Sequence, residues 1–318
     1  MRAVFGPAIV ALAVLTQTVA AADKGIELDS REYKLMLQPE RFAGGAPQQA
    51  VRRFARDQLE PALRPAFGDK AAEELKDKGL GLGERRSVRF WDTDRCALIE
   101  HGFALRERVD LNKEGRPAAT PKITLKFRSA DLFLAADLPL AARGGAKDVE
   151  SKFEEDLGAL AVRSASGEAV VAMPRSSRSQ FSRSTTQTVE RRGLPRTLKE
   201  VDDLYPKFDD ALRLVAGESD MSASLKASPE YRELVYRSAT IDLAKDTKTS
   251  FALTIWFEGA DNRDRPALAE ISFAYETDDG SVSAEVARRA RELLLAMQDL
   301  DWADPGSPTK TALAGCAG

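Results

Sequence analysis

The sequence is most informative at residues 104–111, ALRERVDL, and at residues 122–128, KITLKFR. In both stretches polar and apolar side chains alternate, a period of two that is typical of a β-strand with two different faces. Residues 112–117, NKEGRP, lie between them and are rich in turn-forming residues. The sequence therefore predicts an antiparallel hairpin of two strands.

Six further segments alternate in the same way and predict six more strands. They span residues 31–37, 87–91, 180–189, 232–243, 251–258 and 268–276. Helical periodicity is found between several of these strands. It occurs at residues 48–67, 71–78, 149–160, 198–215 and 283–300. Strands, then helices, then strands again are typical of an α+β fold with a mostly antiparallel sheet.

The charged residues of the predicted hairpin share one face of each strand. Arg106 and Arg108 face the same way on the first strand, as do Lys126 and Arg128 on the second, with apolar residues opposite. One interpretation is an open sheet whose charged face lies in water. However, cations dominate this face, and several amphipathic helices need an apolar surface to cover. We therefore predict an α+β fold built on an antiparallel closed β-barrel of about eight strands, a tunnel with a charged lumen and helices packed outside.

The composition narrows the chemistry that this chain can perform. Of its 318 residues 43% are hydrophobic, which suffices for a large core, and the formal net charge is −3. This balance leaves no overall basic excess, so we expect no nucleic-acid partner. The single histidine, His101, argues against histidine-rich zinc sites and against a Ser-His-Asp triad. Any chemistry must therefore depend on Lys, Arg, Asp, Glu and metal ions.

The N-terminal residues have the pattern of a secretory signal peptide. Arg2 precedes an apolar stretch at residues 4–15, and small residues follow at residues 18–22, before Asp23. We predict a signal peptide at residues 1–22 and a periplasmic or secreted mature protein that does not contact the membrane. The alternative is an uncleaved membrane anchor, although the apolar stretch is shorter than the ~20 residues that span a bilayer.

Residues 23–314 are expected to form one domain, followed by a C-terminal tail at residues 315–318. That tail contains Cys316, one of the two cysteines of the chain. An oxidising compartment would allow a disulfide between Cys96 and Cys316 to persist, and the bridge would hold the tail against the turn that contains Cys96. The alternative is two unpaired thiols, and the sequence leaves both possibilities open.

Several motifs in and around the hairpin resemble those of a known family. Residues 89–94, RFWDTD, and residues 102–108, GFALRER, are similar to the aromatic-Asp-Thr turn and the Gly-x-Ala-Leu-Arg-x-Arg strand of the CYTH, or triphosphate tunnel metalloenzyme, family. Residues 122–126, KITLK, resemble its Thr-Leu-Lys strand, and residues 30–35, SREYKL, stand where the family has Glu-x-Glu-x-Lys. Weaker similarities follow at residues 197–206, 269–272, 283–300 and 308–310. The resemblance spans nearly all of residues 23–314 in the expected order.

The resemblance implies an eight-stranded antiparallel tunnel that hydrolyses or rearranges triphosphates with Mg²⁺ or Mn²⁺. It implies that Glu32 and Glu270 are catalytic residues that ligate the metal. It also implies a set of phosphate-binding cations. This set comprises Lys34, Arg106, Arg108, Lys126 and Lys310. Lys310 would close one mouth of the tunnel. The phases of the predicted strands agree with these roles for every residue except Lys310, which lies outside a predicted strand.

The sequence departs from the family pattern at two positions. Ser30 stands where the first Glu of Glu-x-Glu-x-Lys is expected, and Ser272 stands two residues after Glu270, where a second acid is expected. Each expected pair of carboxylates therefore has only one member, Glu32 or Glu270. The candidate replacements are Asp110, Asp242 and Glu276. Two carboxylates and the oxygens of a substrate can still hold a hard divalent cation, because Mg²⁺ usually keeps several waters.

Three functions follow from these observations. The favoured hypothesis is an exported, metal-dependent hydrolase of inorganic polyphosphate, tripolyphosphate or a related triphosphate anion. The main alternative is a catalytically weakened tunnel that binds a polyanion without cleaving it. A third possibility is a structural barrel whose lumen charges pair internally. In the first two cases the partner is a small polyanionic ligand, and the sequence leaves the oligomeric state open.

Overall fold

The structure, a computed structural model, describes most of the chain. The described residues are 25–45, 47–163, 169–171, 177–238, 240–245, 247–259, 265–277, 280–307 and 309–314. The predicted signal peptide at residues 1–22 and the tail at residues 315–318 lie outside them. Within the described residues, no helix is both long enough and apolar enough to cross a lipid bilayer.

The described residues form thirteen β-strands. The strands are β1 (Ser30–Leu37), β2 (Leu80–Thr93), β3 (Phe103–Asp110), β4 (Lys122–Ser129), β5 (Lys147–Ala159), β6 (Ala161–Arg163), β7 (Ala169–Val171), β8 (Ser177–Thr188), β9 (Leu225–Ala227), β10 (Tyr231–Ser238), β11 (Ile241–Ala244), β12 (Thr247–Glu258) and β13 (Pro266–Glu276). Six α-helices connect or follow them. The helices are α1 (Pro47–Phe54), α2 (Glu60–Lys78), α3 (Leu132–Asp137), α4 (Leu198–Leu204), α5 (Phe208–Ala216) and α6 (Ala284–Gln298). A π-helical turn, Ala55–Leu59, joins α1 to α2.

Nine of these strands close into a barrel. They pair in the order β10-β12-β13-β1-β5-β8-β4-β3-β2, and β2 pairs with β10 to complete the circle. Every neighbouring pair is antiparallel except β1 and β5, which run parallel. The predicted α+β fold with a closed barrel is confirmed, with nine strands and one parallel pair in place of about eight antiparallel strands.

Helices cover the outside of the barrel on two sides. On one side α1, α2 and α6 pack on β1, β12 and β13, where Leu35, Ile271 and Leu293 are buried. On another side α3, α4 and α5 cover β3 and β4, where Leu125 and Phe208 are buried. Each such side chain stabilises the fold by about 1.5–3 kcal/mol when it leaves water. Because the apolar faces of the strands are buried outward, their polar faces turn into the lumen.

A cluster of apolar side chains fills one end of the barrel. The cluster comprises Met36, Val88, Phe90, Tyr231, Trp256 and Leu268. By strand alternation these residues share the face of the lumen-lining residues, and they lie where β1, β2 and β12 end and where β10 and β13 begin. Leu313 and Ala314, from the short 3-10 helix Lys310–Ala314, pack against the cluster. Apolar side chains thus occupy the lumen side of these five strands at this end, and we call it the closed end.

The helix predicted at residues 149–160 is wrong, because this segment is strand β5. Its apolar residues Val149, Phe153 and Leu157 are spaced by four. A spacing of four fits one face of a helix, but it also fits one face of a strand because four is an even number. The residues between them are mostly charged, so no alternation of polarity indicated a strand.

Two other predicted segments are split. Residues 198–215 form α4 and α5, which are separated next to Pro206, where a proline inside a helix removes a backbone hydrogen bond. Residues 232–243 form β10 and the short β11, which leaves the barrel and pairs with β12 alone. The other predicted helices and strands are found, with different ends.

We predict that Gly102→Ala destabilises the barrel. Gly102 has φ 82° in the turn before β3, and an added Cβ would lie 2.7 Å from the carbonyl oxygen of Arg128. The left-handed backbone and the clash together should lower the free energy of unfolding by about 2 kcal/mol or more. Urea denaturation measures this change. Gly144→Ala is the control, because no heavy atom lies within 4 Å of its added Cβ. Equal stability of the two variants would contradict the prediction.

Candidate functional site

The barrel encloses a cavity of about 930 Å³ whose lining is highly charged. The acidic side chains that line it are Glu32, Glu150, Glu154, Asp156, Glu233 and Glu270. The cationic side chains that line it are Lys34, Arg86, Arg106, Arg108, Lys126, Arg128, Lys152, Arg178, Arg237 and Lys310. With ten cations against six carboxylates, the lumen carries an excess of positive charge although the whole chain is slightly acidic. Such a lumen attracts anions.

All seven residues predicted for the metal and phosphate sites line this one cavity. They are Glu32, Lys34, Arg106, Arg108, Lys126, Glu270 and Lys310. The structure thus brings together residues that are up to 278 positions apart in the chain. None of the three candidate replacement acids lines it. Asp110 contacts Arg86 from an exposed position, and Asp242 and Glu276 lie elsewhere.

Three carboxylates come together on the paired strands β1 and β5. The parallel register places Ser30 beside Glu154 and Glu32 beside Asp156. One oxygen from each of Glu32, Glu154 and Asp156 lies within 4.8 Å of the others, so the group could hold a metal ion. Ser30 Oγ also donates a hydrogen bond to Glu154 Oε1 at 3.1 Å. A carboxylate of the neighbouring strand thus lies beside Ser30.

Sequence reasoning missed Glu154 and Asp156 because residues 149–160 were assigned to a helix. In a strand, residues 152, 154 and 156 share one face, and in this segment that face is fully charged. This period of two was the available signal. It was hidden because the opposite face also carries charge, at Glu155.

Cations hold the carboxylate group in a dense network of ion pairs. Lys34 Nζ lies 2.7 Å from Glu32 Oε2 and 2.8 Å from Asp156 Oδ1. On the other side, Arg128 Nη2 and Lys126 Nζ lie 2.8 Å and 3.4 Å from Asp156 Oδ2. Burial alone would raise the pKa of Asp156, but these three cations outweigh it and hold that pKa well below its usual range. These cations therefore favour the ionised form of Asp156.

Lys126 has a pKa closer to neutral pH than is usual for a lysine. Burial lowers its pKa to about 8, and the nearby charges of Arg128 and Lys34 add to this shift against the opposing effect of Asp156. A further anion beside this ammonium group would raise its pKa again, because a nearby opposite charge favours the charged form.

A second network lies around Glu233 on β10. Glu233 Oε2 is 3.2 Å from Arg86 Nη1, and Glu233 Oε1 is 3.7 Å from Arg108 Nη2. Burial alone would raise the pKa of Glu233, but Arg108, Lys310 and Arg86 outweigh it and lower this pKa to about 2. Sequence reasoning also missed Glu233, since residues 232–243 were assigned a single uninterrupted strand without a role in the site.

Arg106 differs from its neighbours because no carboxylate of the described residues lies within 4 Å of its guanidinium. Its Nε and the Nε of Arg108 are buried and have no hydrogen-bond partner among the same residues. Burial and then the charge of Arg108 lower the pKa of Arg106 well below its usual value. Both guanidinium groups line the lumen, where Arg106 stands without a carboxylate partner among the described residues.

Glu270 and Lys310 pair with each other at the closed end. Lys310 Nζ lies 2.8 Å from Glu270 Oε1, and the neighbouring Thr311 Oγ1 accepts a hydrogen bond from Arg128 Nη1 at 3.2 Å. Glu270 is not one of the three grouped carboxylates, so its role as a metal ligand stays a prediction. Lys310 lies beside the apolar cluster, and its segment covers that end of the barrel.

The predicted disulfide involves a residue outside the described part of the chain. Cys96 lies in the turn after β2 with φ 56°, and its backbone N–H donates to the carbonyl of Thr93 at 2.9 Å. Cys316 lies beyond residue 314, so the pairing stays a prediction.

Comparisons with known proteins add similarities of structure at low sequence identity. No family model matches the sequence, and no curated protein matches it. Among solved structures, a candidate adenylyl cyclase from Hippeastrum, described as having a dominant triphosphatase activity, is 12% identical with a TM-score of 0.42 over 91% of this chain and 95% of that one. A candidate adenylate cyclase from Bacillus halodurans is 14% identical, with a TM-score of 0.38 over 90% and 96%. A third, from Vibrio parahaemolyticus, is 11% identical, with a TM-score of 0.32 over 91% and 99%.

We predict that Glu233→Gln destabilises the protein in a pH-dependent way. At pH 7 the variant leaves Arg108 without its ion-pair partner, which should cost about 3 kcal/mol of unfolding free energy. Because folding lowers the pKa of this carboxyl from about 4.3 to about 2, its contribution is complete above about pH 5. The contribution is then lost as the pH falls towards 2, so the two proteins should converge in stability.

Chemical denaturation at pH 7, 5, 4 and 3 measures this convergence. Glu230→Gln is the control, since Glu230 forms an exposed ion pair with Arg89, and the expected change is at most about 1 kcal/mol. A constant difference between the Glu233 variant and the wild type at all four values would contradict the prediction.

Proposed function

We propose that the lumen binds a linear oligophosphate, such as tripolyphosphate or the end of a polyphosphate chain, and hydrolyses it with the help of a divalent metal ion. The single observation that supports this function is the composition of one enclosed cavity. That cavity is lined both by the guanidinium groups of Arg106 and Arg108 and by a group of three carboxylates within 4.8 Å of one another. Chemistry on a phosphoric anhydride needs both features, because phosphoryl transfer depends on positioning and on neutralising charge.

The cations of the lumen would bind the anion. Guanidinium groups present forked donors that match phosphate oxygens, and an ammonium group supplies a mobile point charge. The guanidinium groups of Arg106 and Arg108 line an enclosed lumen, where hydrogen bonds to an ionised group are strong. Burial, together with the charges of Arg128 and Lys34, lowers the pKa of Lys126, and a polyanion beside it would favour its charged form. The lumen is thus suited to several adjacent negative charges.

The grouped carboxylates fit a hard divalent cation. Glu32, Glu154 and Asp156 offer only oxygen donors, which are the ligands that Mg²⁺ and Mn²⁺ prefer. When bound, such an ion would polarise a phosphoryl oxygen and lower the pKa of a bound water. Lys34, now paired with Glu32 and Asp156, would be released from them and could turn its ammonium group to the phosphate. Arg128 would keep Asp156 oriented through its 2.8 Å contact.

One observation favours the alternative of a tunnel that binds a polyanion without cleaving it. Lys34 Nζ lies within 2.8 Å of both Glu32 and Asp156, so an ammonium group already neutralises these carboxylates. A metal ion has to displace it. Ser30 and Ser272 also favour this alternative, because each stands at a position where the family pattern has an acid. The location outside the cytoplasm, expected from residues 1–22, forms part of both versions of the proposal.

Phosphate release from tripolyphosphate tests the hydrolase. We expect the purified protein to release orthophosphate in the presence of Mg²⁺ or Mn²⁺ and not in the presence of EDTA. Arg106→Ala should weaken tripolyphosphate binding about 10- to 100-fold, because a hydrogen bond to a charged group contributes about 1.5–3 kcal/mol. Isothermal titration calorimetry measures this affinity.

Arg89→Ala is the matched control for the Arg106 variant. Arg89 lies on the neighbouring strand β2, but it faces outward and pairs with Glu230, so binding should change less than about twofold. Binding without phosphate release under any metal would select the binding-only alternative. Equal effects of the two arginine variants would refute the lumen as the binding site.

Manganese binding tests the carboxylate group without an activity assay. Glu154→Gln should weaken Mn²⁺ binding at least about tenfold in titrations followed by electron paramagnetic resonance, since even outer-sphere partners of a metal contribute 10- to 100-fold. Glu150→Gln is the control on the same face of β5, because Glu150 is exposed and pairs with Lys152. If both variants bind Mn²⁺ like the wild type, the three carboxylates are not the metal site.

A further inference from the structure

Glu233 is an acid placed among the cations that are proposed to hold the anion. It lies on the lumen face of β10, two residues after Tyr231 of the apolar cluster at the closed end, and only 1% of it is exposed. Its carboxylate contacts Arg86 and Arg108 at 3.2 Å and 3.7 Å. Neighbouring cations lower its pKa to about 2, so it stays ionised at neutral pH.

The two arginines depend on Glu233 to different extents. Arg86 also contacts Glu84 at 2.5 Å and Asp110 at 3.3 Å, so its charge is balanced without Glu233. Among the described residues, Arg108 has no other carboxylate within 4 Å. An anion that enters the lumen therefore meets an Arg108 that is already paired with a resident carboxylate, and an Arg106 that is not.

The position of Arg106 shows which anions can overcome this competition. Arg106 lies opposite Thr124 in the β3–β4 ladder, so Lys126 is its diagonal neighbour on the same face. Diagonal neighbours lie about 7–8 Å apart, with their Cβ atoms somewhat closer. A chain of several phosphates can contact both side chains and Arg108 at once, whereas one orthophosphate contacts fewer of them. The repulsion from Glu233, by contrast, acts on either ligand.

We propose that Glu233 is a resident competitor for Arg108 that makes the lumen select oligophosphates over orthophosphate. This inference rests on the proposed function, and it assigns to that site a residue that sets its selectivity. Glu233 keeps Arg108 occupied until a ligand offers enough negative charge to replace it. Orthophosphate, the product of hydrolysis, is then too weak a competitor to remain bound.

The test compares the affinities for tripolyphosphate and orthophosphate, measured by calorimetry at pH 7 without metal. Glu233→Gln should bind both anions more tightly than the wild type does. The gain in affinity should be larger for orthophosphate. The dissociation constant for orthophosphate divided by that for tripolyphosphate should therefore fall about tenfold, which corresponds to 1.4 kcal/mol. Thermal denaturation in the same buffer shows that the variant is folded.

Glu107→Gln is the matched control. Glu107 is a buried glutamate on β3, the strand of Arg106 and Arg108, but it faces outward and accepts a hydrogen bond from Trp91 Nε1 at 3.1 Å. The ratio of dissociation constants should be the same in this variant as in the wild type. A fall of the ratio in both variants would overturn the proposal, because it would show a general effect of removing a buried acid.

The remaining outcomes separate this inference from the proposed function. If Glu233→Gln binds tripolyphosphate with an unchanged ratio, the competitor role is refuted and the binding site stands. If the wild type binds orthophosphate as tightly as tripolyphosphate, the selectivity is refuted even when the variant does not fold. If the wild type neither binds tripolyphosphate nor releases phosphate from it, the proposed function fails and this inference fails with it.

Discussion

The hydrogen-bond ladder between β2 and β10 is the constraint on which the rest of the structure depends. It joins the first and last strands of the circle along nearly the whole length of β10, from Tyr231 opposite Val88 to Ser238 opposite Leu80. Without it the barrel would be an open sheet with two exposed edges, and its charged face would lie in water. Closure confines the cations to a small volume between low-dielectric walls, which strengthens their interaction with each other and with an anion. The excess positive charge of the lumen is thus a consequence of topology, in a chain whose net charge is negative.

The parallel pairing of β1 with β5 has a comparable effect on the acidic side of the lumen. It places Glu32 beside Asp156, and Ser30 beside Glu154, so that one carboxylate group is assembled from two strands that are far apart in the chain. Lys34 then bridges the group and offsets the repulsion between its members. Buried ion pairs of this kind contribute little net stability but leave a large penalty when one partner is removed. The network therefore specifies the geometry of the site more than it stabilises the fold.

Alternation of polarity predicted most of the barrel, because a strand with one face in a polar lumen and one face under helices has to alternate. The same argument placed Arg106, Arg108 and Lys126 in the lumen. It failed for β5, since apolar residues spaced by four fit both a helix and a strand. It could not assign a role to Glu233, because the residues on its face of β10 include the apolar Tyr231 and Val235 beside it. The pairing of β1 with β5, and with it the carboxylate group, depends on long-range register that no local pattern contains.

The apolar cluster at the closed end affects how a ligand would enter and leave the barrel. A tunnel with two open mouths would let a chain slide through, with one end leaving while the other enters. If Trp256, Phe90 and their neighbours block that end, a ligand enters and leaves by the other mouth. Only the leading units of a long polymer can then occupy the cavity of about 930 Å³, and the remainder stays in bulk solvent. Longer chains would consequently add length outside the protein without adding contacts inside it.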